Sequence, residues 1–176
     1  MRYPAACEIV AKLGLAPLPV EGGLYRQTWR SPVVDPAGRP AGTAILLLLS
    51  DDADSFSAMH RLGAPECWHF YLGDPVELLE LLEGGSSRVT TLGHDLLANE
   101  VVQHVVPAGA WMGAVRRGGP CGWSLLGTTM APGFDAAEFE ASEAGPLVDG
   151  WPDRAASIRR LVRDGTATHR LPDGFE

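Results

Sequence analysis

The chain of 176 residues is long enough for one domain with a single sizeable core, and its 45% hydrophobic and 20% charged content is typical of a soluble globular protein. Its formal net charge of −8 repels phosphate backbones, so no nucleic-acid partner is expected. The longest apolar run, residues 44–49, is too short to cross a bilayer, which argues against a membrane protein.

Short segments separated by turn residues dominate the sequence. A helix is predicted over residues 3–13, where apolar side chains recur at helical spacing and Gly14 supplies a stop. From residue 43 to residue 133, short apolar stretches follow one another and most end at Gly, Pro or Asp, which predicts an all-β sandwich or closed barrel. The stretch VELLELLEGG (76–85) fits a strand or a helix, and its early Gly pair favours the strand.

A second helix is predicted near the C-terminus, over about residues 151–164, with Pro152 in its first turn and Gly165 as its stop. No linker, repeat or low-complexity tract interrupts the sequence. Residues 1–176 are therefore interpreted as a single domain with a barrel core over about residues 20–142. Three widely spaced cysteines without a CxxC pair favour reduced thiols and a cytoplasmic location.

The stretch richest in chemically active side chains is SAMHRLGAPECWHFYLGDP, residues 57–75. His60 precedes Glu66 by six residues, and Glu66 precedes Gly73 by seven. The first motif of the cupin superfamily is HxHxxxxExxxxxxG, and it also occurs in a form with three residues between the second His and the Glu. The spacings found here are those of this shorter form. The second cupin motif, PxGxxH, is matched in its Pro and Gly by PAGAWM (107–112).

The order of segments along the chain matches one small-cupin family. Seven segments follow its pattern: EGGLYRQTWRS, TAILLLL, MHRLGAPECWHFYLGDPVEL, LGHDL, QHVVPAGAWMGAV, SLLGTTMAPGFDAAEFE and WPDRAASIRRL. Over about residues 8–163 the chain therefore resembles the family labelled cupin-5, which is grouped with the sugar-epimerase-like cupins and largely lacks an established reaction. The resemblance implies an all-β cupin barrel (a double-stranded β-helix, or jelly roll) with short N- and C-terminal helices. It also implies a ligand pocket at one end of the barrel and assembly as a homodimer.

The resemblance also bears on metal binding. Metal-binding cupins offer three His and one Glu, a set of ligands suited to Fe, Mn, Ni or Zn. His60 and Glu66 stand at two of these positions, whereas Leu62 and Met112 stand where the second His and the motif-two His are expected. No cofactor is therefore expected, and a divalent metal held by His60 and Glu66 is the alternative.

The same two residues also suit acid–base chemistry. In sugar-epimerase-like cupins a His acts as the base and a Tyr as the acid, which implies His60 as the base, oriented by Glu66, and Tyr25 or Tyr71 as the acid. The prediction is a small-molecule-binding cupin, in its sharpest form a metal-independent isomerase or epimerase acting on a carbohydrate-like or carbonyl compound. Three alternatives stay open: a metal-dependent lyase, isomerase or dioxygenase, a non-catalytic metabolite-binding protein, and a buried His60–Glu66 pair without function.

A further set of residues is expected to contact a ligand inside the barrel, on the assumption that they line its pocket: Arg26, Trp68, Phe70, Gln103, Trp111 and Met112. The aromatic members suit either a pocket wall or the core, and the methionine suits core filling. Arg26 suits a clamp on a carboxylate or phosphate group, or a surface ion pair.

Strand alternation assigns faces to several of these side chains. In a strand running from Glu66, Trp68 lies on the same face and His69 on the opposite one. On the strand that enters the second motif, Gln103 is expected to point into the barrel and His104 outward. His69 and His104 are therefore not expected to complete a metal site unless a β-bulge reverses the alternation.

Overall fold

A computed structural model of the protein describes residues 3–163 and residue 171, and within them the chain forms three α-helices and eleven strands. The helices are α1 (Ala6–Leu13), α2 (Ala144–Gly150) and α3 (Ala155–Arg160). The strands are β1 (Ala16–Pro17), β2 (Leu24–Arg30), β3 (Thr43–Ser50), β4 (Ser57–Arg61), β5 (Glu66–Gly73), β6 (Val76–Leu81), β7 (Ser87–Leu92), β8 (Gln103–Val106), β9 (Trp111–Arg116), β10 (Trp123–Met130) and β11 (Glu140–Ala141).

The strands form two antiparallel sheets. The first sheet has the order β1-β2-β3-β10-β5-β8, and the second has the order β11-β4-β9-β6-β7. From β3 onward the chain changes sheet at every step except between β6 and β7. This crossing pattern makes the two sheets the walls of a jelly-roll barrel, which confirms the predicted all-β fold with short terminal helices.

Apolar side chains fill the space between the two sheets. The fully buried Leu47, Trp68, Leu78 and Leu126 come from both sheets and belong to one continuous cluster. On β5 the side chain of Trp68 points into this cluster, whereas His69 contacts Thr129 on the outer face. The predicted alternation along β5 is therefore confirmed.

Strand β3 is buried on both faces, as its unbroken apolar sequence requires. Leu47 and Leu49 face the barrel interior, and Leu48 lies in a second cluster with Ile9 of α1. Helix α1 ends where predicted, because Gly14 adopts the left-handed backbone conformation, with φ of 63°. The N-terminal helix thus covers the outer face of the first sheet beside β3.

The C-terminal helix predicted over about 151–164 is present from Pro152 to Arg160, as a 3-10 turn over Pro152–Arg154 that continues into α3, with Pro152 in its first turn as predicted. Helix α2, which precedes it and is separated from it by a break at Trp151, was not predicted. Trp151 lies at the break, and its indole N–H donates to the carbonyl oxygens of Leu82 and Ser86 at 3.1 and 2.8 Å. Proline has no backbone N–H to donate to the preceding turn, so α2 cannot continue through this point. Residue 164 and the predicted stop, Gly165, lie outside the described residues.

The ambiguous stretch 76–85 begins with strand β6, as predicted. Its Leu79 and Leu81 face outward and pack with Ile158 of α3 in a third apolar cluster. Its Leu78 faces the barrel interior. Both faces of β6 are therefore covered. No helix in the part of the chain that the structure describes is long and apolar enough to cross a membrane.

Candidate functional site

His60 lies on β4 and is almost completely buried, with 1% of its surface exposed. Its Nδ1 lies 2.7 Å from the carbonyl oxygen of Ala58, which can only accept a hydrogen bond, so Nδ1 carries the proton in this contact. The other ring nitrogen, Nε2, is 3.9 Å from Oε2 of Glu21. The ring also stacks on Phe139, with 5.5 Å between ring centroids. The ring is therefore fixed in one orientation, with Nε2 directed toward a carboxyl group.

Glu66, the first residue of β5, is buried, with 7% of its surface exposed. Burial and then the negative charge of Glu21 raise its pKa from 4.5 to about 7, against the smaller opposing effects of His60, Thr128 and Trp68. Its Oε2 atom is buried and has no hydrogen-bond partner among the residues that the structure describes. Glu66 therefore exchanges its proton near neutral pH and offers an unpaired oxygen atom.

Glu21 is part of the site, although sequence reasoning did not select it. Its Oε1 accepts a hydrogen bond of 2.8 Å from the hydroxyl of Ser57, and its Oε2 faces His60. The turn that carries it contains left-handed backbone at Val20, with φ of 63°, and the following Gly22 also has positive φ. The Gly-Gly pair after Glu21 was the available signal, because such a turn can direct the preceding side chain into the barrel.

An apolar cavity opens beside these carboxyl groups, with an empty volume of about 550 Å³ that includes its opening to solvent. Its walls are mainly aliphatic and aromatic side chains, among them Phe134, Phe139 and Leu171. A smaller number of polar side chains interrupt the walls: Glu21, Tyr25, Gln27, Thr43, Glu66 and Thr128. An apolar cleft with a few convergent polar groups is the usual form of a small-molecule site.

Of the three residues predicted as catalytic, two lie on the cavity wall. Glu66 and Tyr25 line the cavity, whereas His60 lies one layer behind it, against Phe139. Burial raises the pKa of the Tyr25 hydroxyl. Tyr71, the other tyrosine considered as an acid, lies on the outer face of the first sheet, where its ring stacks with His69. The structure thus favours Tyr25 over Tyr71 as the tyrosine near the site.

Three of the predicted ligand-binding residues lie inside the barrel but away from the cavity. Trp68, Phe70 and Met112 all belong to the packed interior. Among the described residues the buried Trp68 indole N–H has no hydrogen-bond partner of good geometry, although Trp68 is close enough to lower the pKa of Glu66 slightly. Phe70 instead contacts the ring of His94 at 5.5 Å. These side chains support the site from behind rather than line it.

Two more of these residues, Trp111 and Arg26, face away from the interior, so the expectation that they line the pocket is wrong. Trp111 pairs with Leu81 and packs toward the C-terminal helices, with the Arg61 guanidinium 5.0 Å above its ring. Arg26 is exposed and pairs with Leu46, on the outer side of the first sheet, next to Gly14. Neither residue lines the cavity.

The predicted orientations on β8 are reversed. His104 pairs with the inward-facing Trp68, and its Nε2 lies 2.8 Å from Oε2 of Glu80, a carboxylate with no exposed surface. Gln103 points outward and contacts Nδ1 of His69 at 3.2 Å. The buried charge of Glu80 explains the reversal, because a buried carboxylate requires partners; Arg88 supplies two further hydrogen bonds.

The side chains near His60 do not fit the four-ligand metal site of metal-binding cupins. Leu62 and Met112 occupy two ligand positions of the motifs and are both buried. Within residues 3–163 and 171, no three His, Cys, Asp or Glu side chains converge in a way that could hold a metal ion. His104 is engaged by Glu80 instead. We therefore derive no chemical step through a metal at His60 and Glu66.

A jelly-roll barrel with an apolar cavity and a few buried polar groups defines a small-molecule-binding cupin. The chain belongs to the Cupin_5 family of the cupin superfamily (DUF985), whose family model matches residues 7–142. This match confirms the resemblance found in the sequence motifs.

Solved structures extend the comparison. A protein from Shewanella oneidensis is 32% identical, with a TM-score of 0.83, over 91% of this chain and 98% of that one. A hypothetical protein from Leishmania major is 30% identical, with a TM-score of 0.81, over 92% of this chain and 100% of that one. A dTDP sugar isomerase from Desulfovibrio desulfuricans G20 is 15% identical, with a TM-score of 0.50, over 76% and 84%, which shows a shared fold alone. No curated protein matches the chain.

Proposed function

We propose that the protein binds a small polar molecule in the barrel cavity and transfers a proton on it without a metal, as an isomerase or epimerase acting on a carbohydrate-like or carbonyl compound. The observation that carries this proposal is the carboxyl group of Glu66. It lies in the cavity wall, is buried, and has a pKa raised to about 7. An acid or base whose pKa lies near the working pH is best suited to proton transfer.

The positions of two wall residues suit the two proton transfers of an epimerisation. Glu66 on β5 and Tyr25 on β2 reach the cavity from strands that are separated by β3 and β10. Glu66 suits the role of the base that removes a proton next to a carbonyl group. Tyr25, whose pKa is raised by burial, keeps its proton and suits the role of the acid. The fold is compatible with such chemistry, since the dTDP sugar isomerase named above shares it.

We assign His60 a positioning role. The ring does not line the cavity, but its Nε2 faces Glu21, and its charge acts to lower the pKa of Glu66. His60 therefore influences the proton affinity of the wall carboxyl group without touching the substrate. Changing His60 should shift the pH profile of the reaction, whereas a purely structural residue would change the rate without such a shift.

Proton exchange in D2O tests this function directly. The protein is incubated with a panel of aldoses, ketoses and small keto compounds, and loss of the proton next to the carbonyl group is followed by NMR. Glu66→Gln should abolish the exchange, and His60→Asn should move its pH profile. Glu83→Gln, an exposed carboxylate change, is the matched control and should leave the rate unchanged. Wild-type exchange rates in Glu66→Gln would contradict the proposal.

A non-catalytic metabolite-binding protein is the second candidate. It is favoured by the placement of Phe139 between His60 and the cavity, because this ring separates the imidazole from a bound molecule. A thermal-shift screen against a metabolite library identifies ligands, since saturating binding stabilises a protein by about 3–4 kcal/mol. A compound that binds in the cavity and exchanges no proton would favour this second function.

We also propose a homodimer in the cytoplasm. The outer face of the first sheet exposes Trp29 and Val105, which are 50% and 53% exposed, and a large exposed apolar patch is typical of an association site. The three cysteines are free thiols, which supports a reducing compartment. Light scattering after gel filtration should give the mass of a dimer, and Trp29→Glu should give that of a monomer. A monomeric wild-type protein would contradict this assembly.

A further inference from the structure

The charges that face the cavity have one sign. Glu21 and Glu66 both line it, and no lysine or arginine does so among the residues that the structure describes. Arg26 lies on the outer face of the barrel. Arg39 belongs to a separate cleft on the other side of Phe134, where its guanidinium is paired with Glu138 at 2.9 Å. A phosphate or carboxylate group entering the cavity would thus meet two carboxyl groups and no described cation.

One buried polar atom at the cavity is an acceptor without a donor among the residues that the structure describes. This atom is Oε2 of Glu66, a residue that is only 7% exposed. Nε2 of His60 lies 3.9 Å from Oε2 of Glu21, a separation too long for a hydrogen bond. A buried acceptor without a donor is energetically unfavourable. A ligand that presents an N–H donor would satisfy Oε2 of Glu66.

The aromatic walls favour the same kind of ligand. Phe134 and Phe139 both line the cavity beside the carboxyl groups. The faces of aromatic rings carry partial negative charge and attract a cation, particularly in a desolvated site. The remaining wall is largely aliphatic and suits a small apolar body.

We propose that the ligand presents a protonated amine to Glu21 and Glu66 and packs a compact apolar body against Phe134 and Phe139. The proposal rests on the proposed function only in taking this cavity as the binding site. It adds that the ligand carries a protonated amine, and it excludes phosphorylated compounds, nucleotides and carboxylates.

Three probes with the same carbon chain test the charge preference: n-butylamine, 1-butanol and butyrate. A ligand with so few atoms is expected to bind with a dissociation constant of about 1 mM, so titration to about 50 mM approaches saturation. Melting temperatures are measured at pH 8, with NaCl added to keep the ionic strength equal. Butylamine should raise the melting temperature in a saturable manner, butanol should raise it less, and butyrate should not raise it. Equal or larger shifts with butyrate, or no saturable shift with butylamine, would overturn the proposal.

Variants tie the amine to the carboxyl groups. Glu66→Gln should weaken butylamine binding about 10- to 100-fold, as expected for loss of a charge-assisted hydrogen bond. Glu21→Gln provides a second variant if the first does not fold, and the exposed change Glu83→Gln is the matched control that should bind as the wild type does. Unchanged butylamine affinity in the folded cavity variants would show that the amine binds elsewhere and would refute the proposal.

The outcomes separate this inference from the proposed function. Proton exchange on carbonyl compounds without any preference for amines would overturn the amine class and leave the catalytic role of Glu66 standing. Saturable, Glu66-dependent amine binding without proton exchange would support the amine class and point to a binding protein.

Discussion

Glu66→Gln should abolish a specific pH dependence of the stability of the protein. In the folded chain, burial and the charge of Glu21 raise the pKa of Glu66 from 4.5 to about 7. The folded protein therefore holds this proton more tightly than the unfolded chain does. The stabilisation is fully present below about pH 4.5 and is lost as the pH rises through about 7.

The size of the effect follows from the same two pKa values. A change from 4.5 to about 7 corresponds to about 3 kcal/mol, at roughly 1.4 kcal/mol for each pH unit. Between pH 4.5 and pH 8, the free energy of unfolding of Glu66→Gln should therefore rise by about 3 kcal/mol relative to that of the wild type, because glutamine carries no charge to be buried at the higher pH.

Urea denaturation of both proteins at intervals between pH 4.5 and pH 8 measures this difference. The free energy of unfolding of the wild type should fall more steeply with pH than that of Glu66→Gln, and Glu83→Gln should follow the wild-type curve. Parallel curves for Glu66→Gln and the wild type would refute the view that Glu66 is buried beside Glu21 with a raised pKa.

Three other predictions concern the metal site, the buried ion pair and the end of α1. Elemental analysis of untagged protein should give under about a tenth of an equivalent of Fe, Mn, Ni or Zn; stoichiometric metal would contradict our reading of the site. Arg88→Met should lower the free energy of unfolding, measured by urea denaturation, by about 2 kcal/mol, because buried Glu80 loses its main partner. A loss no larger than that measured for the exposed change Arg26→Met would contradict this prediction. Gly14→Ala should lower the free energy of unfolding by about 1 kcal/mol in the same assay, because Gly14 has the left-handed φ of 63°, which disfavours alanine. An unchanged free energy of unfolding would refute this prediction.

The fold could be predicted because its signals are local. Apolar runs bounded by turn residues predicted the strands, and the alternation after Glu66 correctly assigned the faces of β5. Helix α2 and the break that follows it could not be predicted, because the break depends on a tertiary contact. Trp151 donates to Leu82 and Ser86, which lie far away in sequence.

The site was predicted only in part, for reasons that can be named. Glu66 lies in the first cupin motif, Tyr25 was implied by the resemblance to sugar-epimerase-like cupins, and both line the cavity. Glu21 lies in a turn outside both motifs and was not selected. The orientation of His104 depends on the buried charge of Glu80, which no pattern on β8 itself reveals. Trp111 faces outward because the terminal helices offer it an apolar surface on the second sheet.

The ion cluster of Glu80, Arg88 and His104 has a consequence for solubility. Strands β7 and β8 are the outermost strands at one side of the two sheets, and each carries one basic member of the cluster. Edge strands with unpaired backbone groups tend to pair with strands of other molecules, and charged side chains along an edge strand discourage this pairing. Because β7 and β8 are both joined to the shared carboxylate of Glu80, these two edge strands are protected from the intermolecular pairing that leads to aggregation.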